Sequence, residues 1–249
     1  MDADRRTLTT YQDLAQKIDH SLVRPHLTDD DIRAGCELAA QYEVATVSVR
    51  PSDVELAVSV LRGANVRVGS VAGFPHGSET TPAKTYQARD LLRRGVKEID
   101  MVLNIGKLLS RQFQYVEMEL MQMAQACHDE GAVLKVIFEN AYLTDDLKII
   151  ACKICKRTGV DFAKTATGFA PGGATMEDLR LMVTHCAPRV KVKAAGGVRT
   201  LDKALEVCAI GCERIGATAT EAILDAWKQR LAGAARPTAS EESGSAGGY

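Results

Sequence analysis

Glu98-Ile99-Asp100-Met101-Val102-Leu103 is a short run with the side chains of a buried strand and a carboxylate in its middle. A period of two puts Ile99, Met101 and Leu103 on one face and Asp100 on the other. Parallel strands covered on both sides read as nearly continuous apolar runs, so a charge at mid-strand needs a reason. Three further runs repeat the arrangement, with Lys135 between Leu134 and Val136, Lys164 between Ala163 and Thr165, and Lys193 between Val192 and Ala194. Lys135 to Lys164 and Lys164 to Lys193 are both 29 residues, about one strand-helix-strand unit. In a closed sheet whose bulky faces meet an outer ring of helices, all four charges converge on one interior, the lysines at similar heights.

The rest of the chain fits such a sheet. Runs beginning near Ile18, Ala45, Val66, Glu98, Val133, Phe162, Val190 and Arg214 alternate with longer stretches of helical period, as parallel βαβ units require. Hydroxyl and acidic groups mark helix starts at Thr28-Asp29-Asp30-Asp31 before Ile32, at Thr144-Asp145-Asp146 before Leu147, and at Thr200 before Leu201-Asp202. Eight strands with eight following helices in 249 residues predict an α/β fold, a single-domain (β/α)₈ TIM barrel over residues 1–231. A doubly wound open sheet is the alternative, but no G-x-G-x-x-G follows the first strand. Residues 232–249, with Pro237, Ser240, Ser243, Ser245 and Gly247-Gly248-Tyr249, read as a flexible tail.

Composition narrows the function. The chain is 46% hydrophobic and 25% charged, with 31 basic and 32 acidic residues, so no broad positive field exists for nucleic acid or an anionic membrane. Any anion site is therefore local. Met1 to Thr10 lacks the apolar centre of a signal peptide, and no run approaches the roughly 18 apolar residues of a membrane span, so a cytoplasmic protein is expected. Seven cysteines then read as reduced thiols. Cys152 and Cys155 form a C-x-x-C inside a helical run, Leu147 to Arg157, with no second Cys or His pair at zinc spacing. The five histidines form no metal-ligand pattern either, so neither metal nor cofactor is expected.

In a barrel of this kind the site lies at the C-terminal ends of the strands, and a loop follows each of the three lysines there. A buried ion-pair network is the bland alternative. Three lysines facing one clear carboxylate instead suit a site that receives an anion or holds one lysine neutral. A lysine with a pKa near 10.4 is protonated at neutral pH and cannot attack a carbonyl. Desolvation and a second cation bring a catalytic lysine to roughly 7 to 8, and Lys164 with Lys193 supplies that pairing. A phosphorylated carbonyl compound satisfies both requirements.

Asp161-Phe162-Ala163-Lys164-Thr165-Ala166-Thr167-Gly168-Phe169 closely resembles the D-F-x-K-T-S/A-T-G segment of the deoxyribose-phosphate aldolases. Ile18-Asp19-His20-Ser21-Leu22, Gly73-Phe74-Pro75-His76-Gly77, Glu98 to Asn104, Leu134-Lys135-Val136-Ile137 and Lys193 to Thr200 resemble that family in the same order, over nearly the whole chain. The resemblance implies reversible cleavage of 2-deoxy-D-ribose 5-phosphate to D-glyceraldehyde 3-phosphate and acetaldehyde. It implies Lys164 as the Schiff-base lysine, Lys193 as the neighbour lowering its pKa, and Asp100 with Lys135 as a proton relay. It places Asp19 and Ser21 at the pocket, where the alternative is a structural role at a strand end. Thr167, Gly168, Gly196, Gly197, Gly216 and Thr218 become substrate and phosphate positions, helped by the N-terminus of the last helix. Tyr249 resembles a tail tyrosine that assists proton transfer to the enamine carbon. The implied partners are a sugar phosphate and an aldehyde, with a homodimer or homotetramer as the assembly.

Three departures stand out. Ser48 occupies a position where the family commonly has cysteine, which removes a thiol that an unsaturated aldehyde could trap. Gly216-Ala217-Thr218-Ala219 replaces a more hydroxyl-rich turn and leaves only the Thr218 hydroxyl for phosphate, which predicts a weaker phosphate preference. Glu139-Asn140-Ala141 also differs from the usual turn after the fifth strand, with no consequence legible. Another lysine aldolase of the same barrel group and a non-catalytic sugar-phosphate-binding barrel are the rival readings.

Overall fold

The computed structural model describes residues 8–234. Eight parallel strands close into a barrel in chain order: β1 (Ile18–Leu22), β2 (Thr46–Val49), β3 (Arg67–Ala72), β4 (Glu98–Val102), β5 (Val133–Ile137), β6 (Phe162–Lys164), β7 (Lys191–Ala195) and β8 (Arg214–Ala217). The β1–β8 pair seals it, with Ile18 opposite Ile215 and Asp19 opposite Gly216. Around the barrel run α1 (Tyr11–Ala15), α2 (Asp29–Gln41), α3 (Val54–Val60), α4 (Thr81–Arg93), α5 (Ile105–Leu109), α6 (Phe113–His128), α7 (Asp145–Thr158), α8 (Met176–Cys186), α9 (Leu201–Ile210) and α10 (Thr220–Ala234). Two of these exceed the eight expected from sequence: α1 precedes the first strand, and α5 is a short turn of helix before α6.

Local chemistry explains several boundaries. The Thr28 hydroxyl accepts from the Asp31 N–H while Asp31 reaches back to the Thr28 N–H, a closed capping box at the start of α2. Thr200 likewise caps α9, whereas Thr144 makes no side-chain cap bond at α7. Strands β2, β3 and β7 begin one residue after the expected Ala45, Val66 and Val190, an ordinary shift at an element end. Cys152 and Cys155 lie buried in α7 and pack towards Cys186 of α8, within the helical layer rather than at the barrel mouth.

The pairing register builds the interior. One circuit of the strand pairing returns to β1 about eight residues nearer the N-terminus, so partners on successive strands descend by about one residue each. Inward residues then stack in layers of four from alternate strands. The lowest holds Thr46, Glu98, Phe162 and Arg214, the next Asp19, Gly69, Lys135 and Lys193, and the third Ser48, Asp100, Lys164 and Gly216. Lys135 and Lys193 therefore share a level, and Lys164 stands one layer above them, a correction to the equal heights expected from the spacing. Outward-facing Ile99, Met101, Leu134, Val136, Val192 and Ala194 are fully or nearly fully buried under the helices.

Candidate active site

The floor of the site is an ion cluster in the three layers. At the bottom, Arg214 donates to both oxygens of Glu98 (3.0 and 3.3 Å), to the Thr46 hydroxyl (3.0 Å) and to Asp19 Oδ1. Above it, Lys135 Nζ lies 2.5 Å from Glu98, 2.9 Å from Asp100 Oδ1 and 3.3 Å from Asp19. Lys193 Nζ reaches Asp19 Oδ2 at 2.5 Å and Asp100 Oδ2 at 2.8 Å. Lys164 Nζ meets that same Asp100 Oδ2 at 2.7 Å. The amines of Lys164 and Lys193 are thus within two hydrogen-bond lengths of each other, both facing the barrel interior.

The sequence pointed to three lysines around one carboxylate. The structure corrects this to four cations, Lys135, Lys164, Lys193 and Arg214, around three carboxylates, Asp19, Glu98 and Asp100. Glu98 shares the inward parity of Asp100, and that was the available signal for it. Arg214 opens its strand, where a charge ordinarily reads as solvent-facing. With Lys164 neutral, three cations meet three anions; with Lys164 protonated, one positive charge is left over.

That surplus falls on the least enclosed lysine of the cluster, 8% exposed where Lys135 and Lys193 are 0% and 1%. Burial lowers the pKa of Lys164 to about 8; the Asp100 carboxylate opposes the shift, and the Lys193 and Lys135 ammonium groups reinforce burial. Burial, more than crowding by Lys193, is the larger cause. Asp100 itself is pushed upward by burial but held well below the usual carboxylate range by Lys135, Lys164 and Lys193. Lys135, also penalised by burial, is raised because Asp100, Asp19 and Glu98 outweigh that penalty. Among the described residues no three His, Cys, Asp or Glu side chains are grouped to hold a metal ion.

A pocket opens directly above. Asp19, Ser21, Lys164, Thr167, Gly168, Lys193, Gly196, Gly197, Gly216 and Thr218, all singled out from sequence, line it together with Ser48. Asp100 and Lys135 form the layers beneath it, and Tyr249 lies outside the described residues. Gly196 is required where it stands: its φ is +89°, and a Cβ there would come within 2.9 Å of Gly173 Cα on the preceding loop. At β8, a Cβ on Gly216 would sit in ordinary contact with Lys193 Cε at 3.4 Å. Just past Thr218, the Thr220 hydroxyl is 2.8 Å from His20 Nδ1, which fixes the start of α10 against β1; burial takes His20 down to about 4, so the ring is neutral.

Sequence reasoning passed over three other groups. Glu139, in the left-handed region at φ +55° and 2% exposed, accepts from both the N–H and the hydroxyl of Thr167 and so holds the turn after Lys164. The unread departure after the fifth strand is thus a support for the pocket wall. Arg24 and Arg199 also line the pocket. Their loops carried no periodicity from which a direction could be read.

Residues 12–226 match the family described as DeoC/LacD family aldolase. The chain belongs to that family. The aldolase is 44% identical over 221 residues to a deoxyribose-phosphate aldolase of Rhodopirellula baltica, covering 89% of this chain and 92% of the relative. It is 43% identical over 215 residues to a deoxyribose-phosphate aldolase of Thermococcus gammatolerans, covering 86% and 96%. In three dimensions the aldolase superposes on the tetrameric deoxyribose phosphate aldolase of Aeropyrum pernix with a TM-score of 0.83 at 27% identity, covering 90% and 94%.

Proposed function

We propose that this aldolase cleaves 2-deoxy-D-ribose 5-phosphate reversibly to D-glyceraldehyde 3-phosphate and acetaldehyde through a Schiff base on Lys164. One observation carries the reading: the surplus cation of the cluster is the amine that meets the pocket, and its pKa is lowered to about 8. A useful fraction of that amine is neutral near physiological pH.

Attack of neutral Nζ on the open-chain C1 carbonyl, followed by loss of water, leaves an iminium on Lys164. Asp100, 2.7 Å from that nitrogen, stabilises its positive charge. As the C2–C3 bond breaks, its electron pair flows into the iminium to form an enamine, and the C3 hydroxyl loses its proton. Asp100 is a poor base while three cations surround it. Conversion of iminium to neutral enamine removes one of those cations at the moment a base is needed, so the affinity of Asp100 for the proton rises with the step. Lys135, bonded to the other oxygen of Asp100, and Lys193, shared with Asp19, keep the carboxylate in place. Protonation of the enamine carbon and hydrolysis of the resulting iminium release acetaldehyde and restore Lys164. Tyr249 takes the enamine protonation in this reading.

Asp19 and Ser21 face the sugar, while Thr167, Gly168, Gly196, Gly197, Gly216 and Thr218 receive the phosphate with the N-terminus of α10. The tetrameric Aeropyrum relative supports a homo-oligomer, dimer or tetramer. Seven free cysteines support a reducing, cytoplasmic setting. Borohydride reduction in the presence of acetaldehyde tests the core of the reading: mass spectrometry should find one reduced adduct, on Lys164. A barrel that only clamps sugar phosphates gives none.

A further inference from the structure

Arg24 lines the pocket on the loop after β1, anchored and, among the described residues, without a carboxylate partner. Its guanidinium stacks on Phe169 at 4.7 Å from the ring centroid, and Phe169 in turn meets Phe74 edge-on at 5.3 Å. Its Nη2 donates to the Gly168 carbonyl at 3.1 Å. These contacts tie the loops after β1, β3 and β6 into one clasp beside the glycine turns. No carboxylate among the described residues lies within 4.0 Å of Arg24.

The rest of the pocket offers a phosphate little charge. Once Lys164 is neutral the floor cluster balances to zero, and the β8 turn contributes a single hydroxyl, that of Thr218. A phosphomonoester dianion in such a site needs a cation at the mouth, and a planar guanidinium held in position suits its oxygens. Arg199 lines the same mouth but makes no side-chain hydrogen bond among the described residues, so it lacks the anchor that Arg24 has.

We propose that Arg24 is the side chain by which this site selects a phosphomonoester over the corresponding neutral alcohol. The inference rests on the Lys164 aldolase reading and adds a specificity-determining residue to it. Only one of the five guanidinium N–H donors is used by Gly168, so the outer edge remains for phosphate oxygens.

The test compares kcat/KM for 2-deoxyribose 5-phosphate and for unphosphorylated 2-deoxyribose in the full-length wild type, Arg24→Gln and Arg24→Lys, with inorganic phosphate as a competitive inhibitor. Arg24→Gln should lower the ratio of the two kcat/KM values about 10- to 100-fold and weaken phosphate inhibition to a similar degree. Arg24→Lys should keep the larger part of both, and the gap between wild type and Gln variant should narrow as salt rises. Equal losses on both substrates would mean that Arg24 only braces the Gly168 turn, and no loss would place the phosphate elsewhere; either outcome overturns the proposal. Acetaldehyde trapping needs no phosphate and separates the two readings. An adduct in wild type and variant with an unchanged ratio sinks only this inference, whereas no adduct in wild type sinks the parent reading and leaves phosphate inhibition to judge Arg24.

Discussion

Lys84 and Lys164 are both buried, yet their surroundings differ. Lys84, fully enclosed between α4 and α6, donates to the Gly77 carbonyl (2.8 Å), the Val102 carbonyl (2.8 Å) and Glu119 Oε1 (2.9 Å). Three acceptors meet three N–H groups, and the other oxygen of Glu119 accepts from the Asn104 N–H. Among the described residues Lys164 has one ion-pair partner, Asp100, which it shares with two other lysines, and its nitrogen meets a pocket. Burial is common to both. What separates the structural lysine from the one proposed to react is the supply of acceptors per proton, together with room for a carbonyl carbon to approach.

The sharpest way to break this contrast is to remove each amine in turn. Lys164→Ala should cost about 10⁴-fold or more in kcat and abolish the acetaldehyde adduct. Its melting temperature should hold or rise, because the remaining cluster is three against three; a large loss of stability would show that Lys164 had been structural after all. Lys84→Met should do the reverse. Glu119 is then left buried without its cation, at about 3–5 kcal/mol, which lowers the melting temperature by roughly 6–20 °C while the folded protein still traps acetaldehyde on Lys164.

Lys193→Leu sharpens the comparison within the cluster. Asp100 loses a competing cation and holds the Lys164 proton more tightly, so the rising limb of kcat/KM, expected near pH 8 in the wild type from the lowered Lys164 pKa, should move one to two units upward. Activity at neutral pH falls about tenfold per unit. The sign for stability follows from the same shift: between about 8 and the ordinary lysine value near 10.4, the unfolded chain binds more protons at this site, so Lys164 makes folding more favourable as pH rises. Asp100 acts at the other end. Its contribution is present above the usual carboxylate value of about 3.9 and is lost as acid titrates below that, which denaturant melts from pH 3 to 10 would resolve. A profile in Lys193→Leu that does not move would assign the lowered pKa to burial alone.

Ser48 sets the smallest expected effect. Its hydroxyl is buried, lines the pocket and has no hydrogen-bond partner among the described residues. Ser48→Cys should be inactivated faster than wild type by concentrated acetaldehyde, as residual activity against time would record; equal rates would show that the absent thiol makes no difference to inactivation.

Much of the architecture was legible because it depends on local periods. Alternation about Asp100, Lys135, Lys164 and Lys193 marked the inward face, and the 29-residue step marked the repeating unit. The partners that neutralise those charges were harder to see. Arg214 opens its strand and finds Glu98 116 residues away, a pairing that exists only because β8 closes on β1. Lys84 sits on a helix where a lysine normally meets water, and only the packing of α6 shows otherwise. Glu139 and Arg24 lie on loops, whose direction is set by tertiary contacts rather than by any repeat. The vertical offset of Lys164 needed the strand register, which hydrophobic pattern alone does not carry.

Closure of the ring also dates the assembly of the chemistry. As the ribosome delivers the first six strands, Asp19, Glu98 and Asp100 have, with Lys164 neutral, only the charge of Lys135 to face; Lys193 and then Arg214 emerge late and bring the sum to three against three. Until β8 zips against β1, the nascent interior carries an anion without a mate, and water has every reason to stay. Drying of the barrel and readiness for chemistry therefore arrive together, at the last strand.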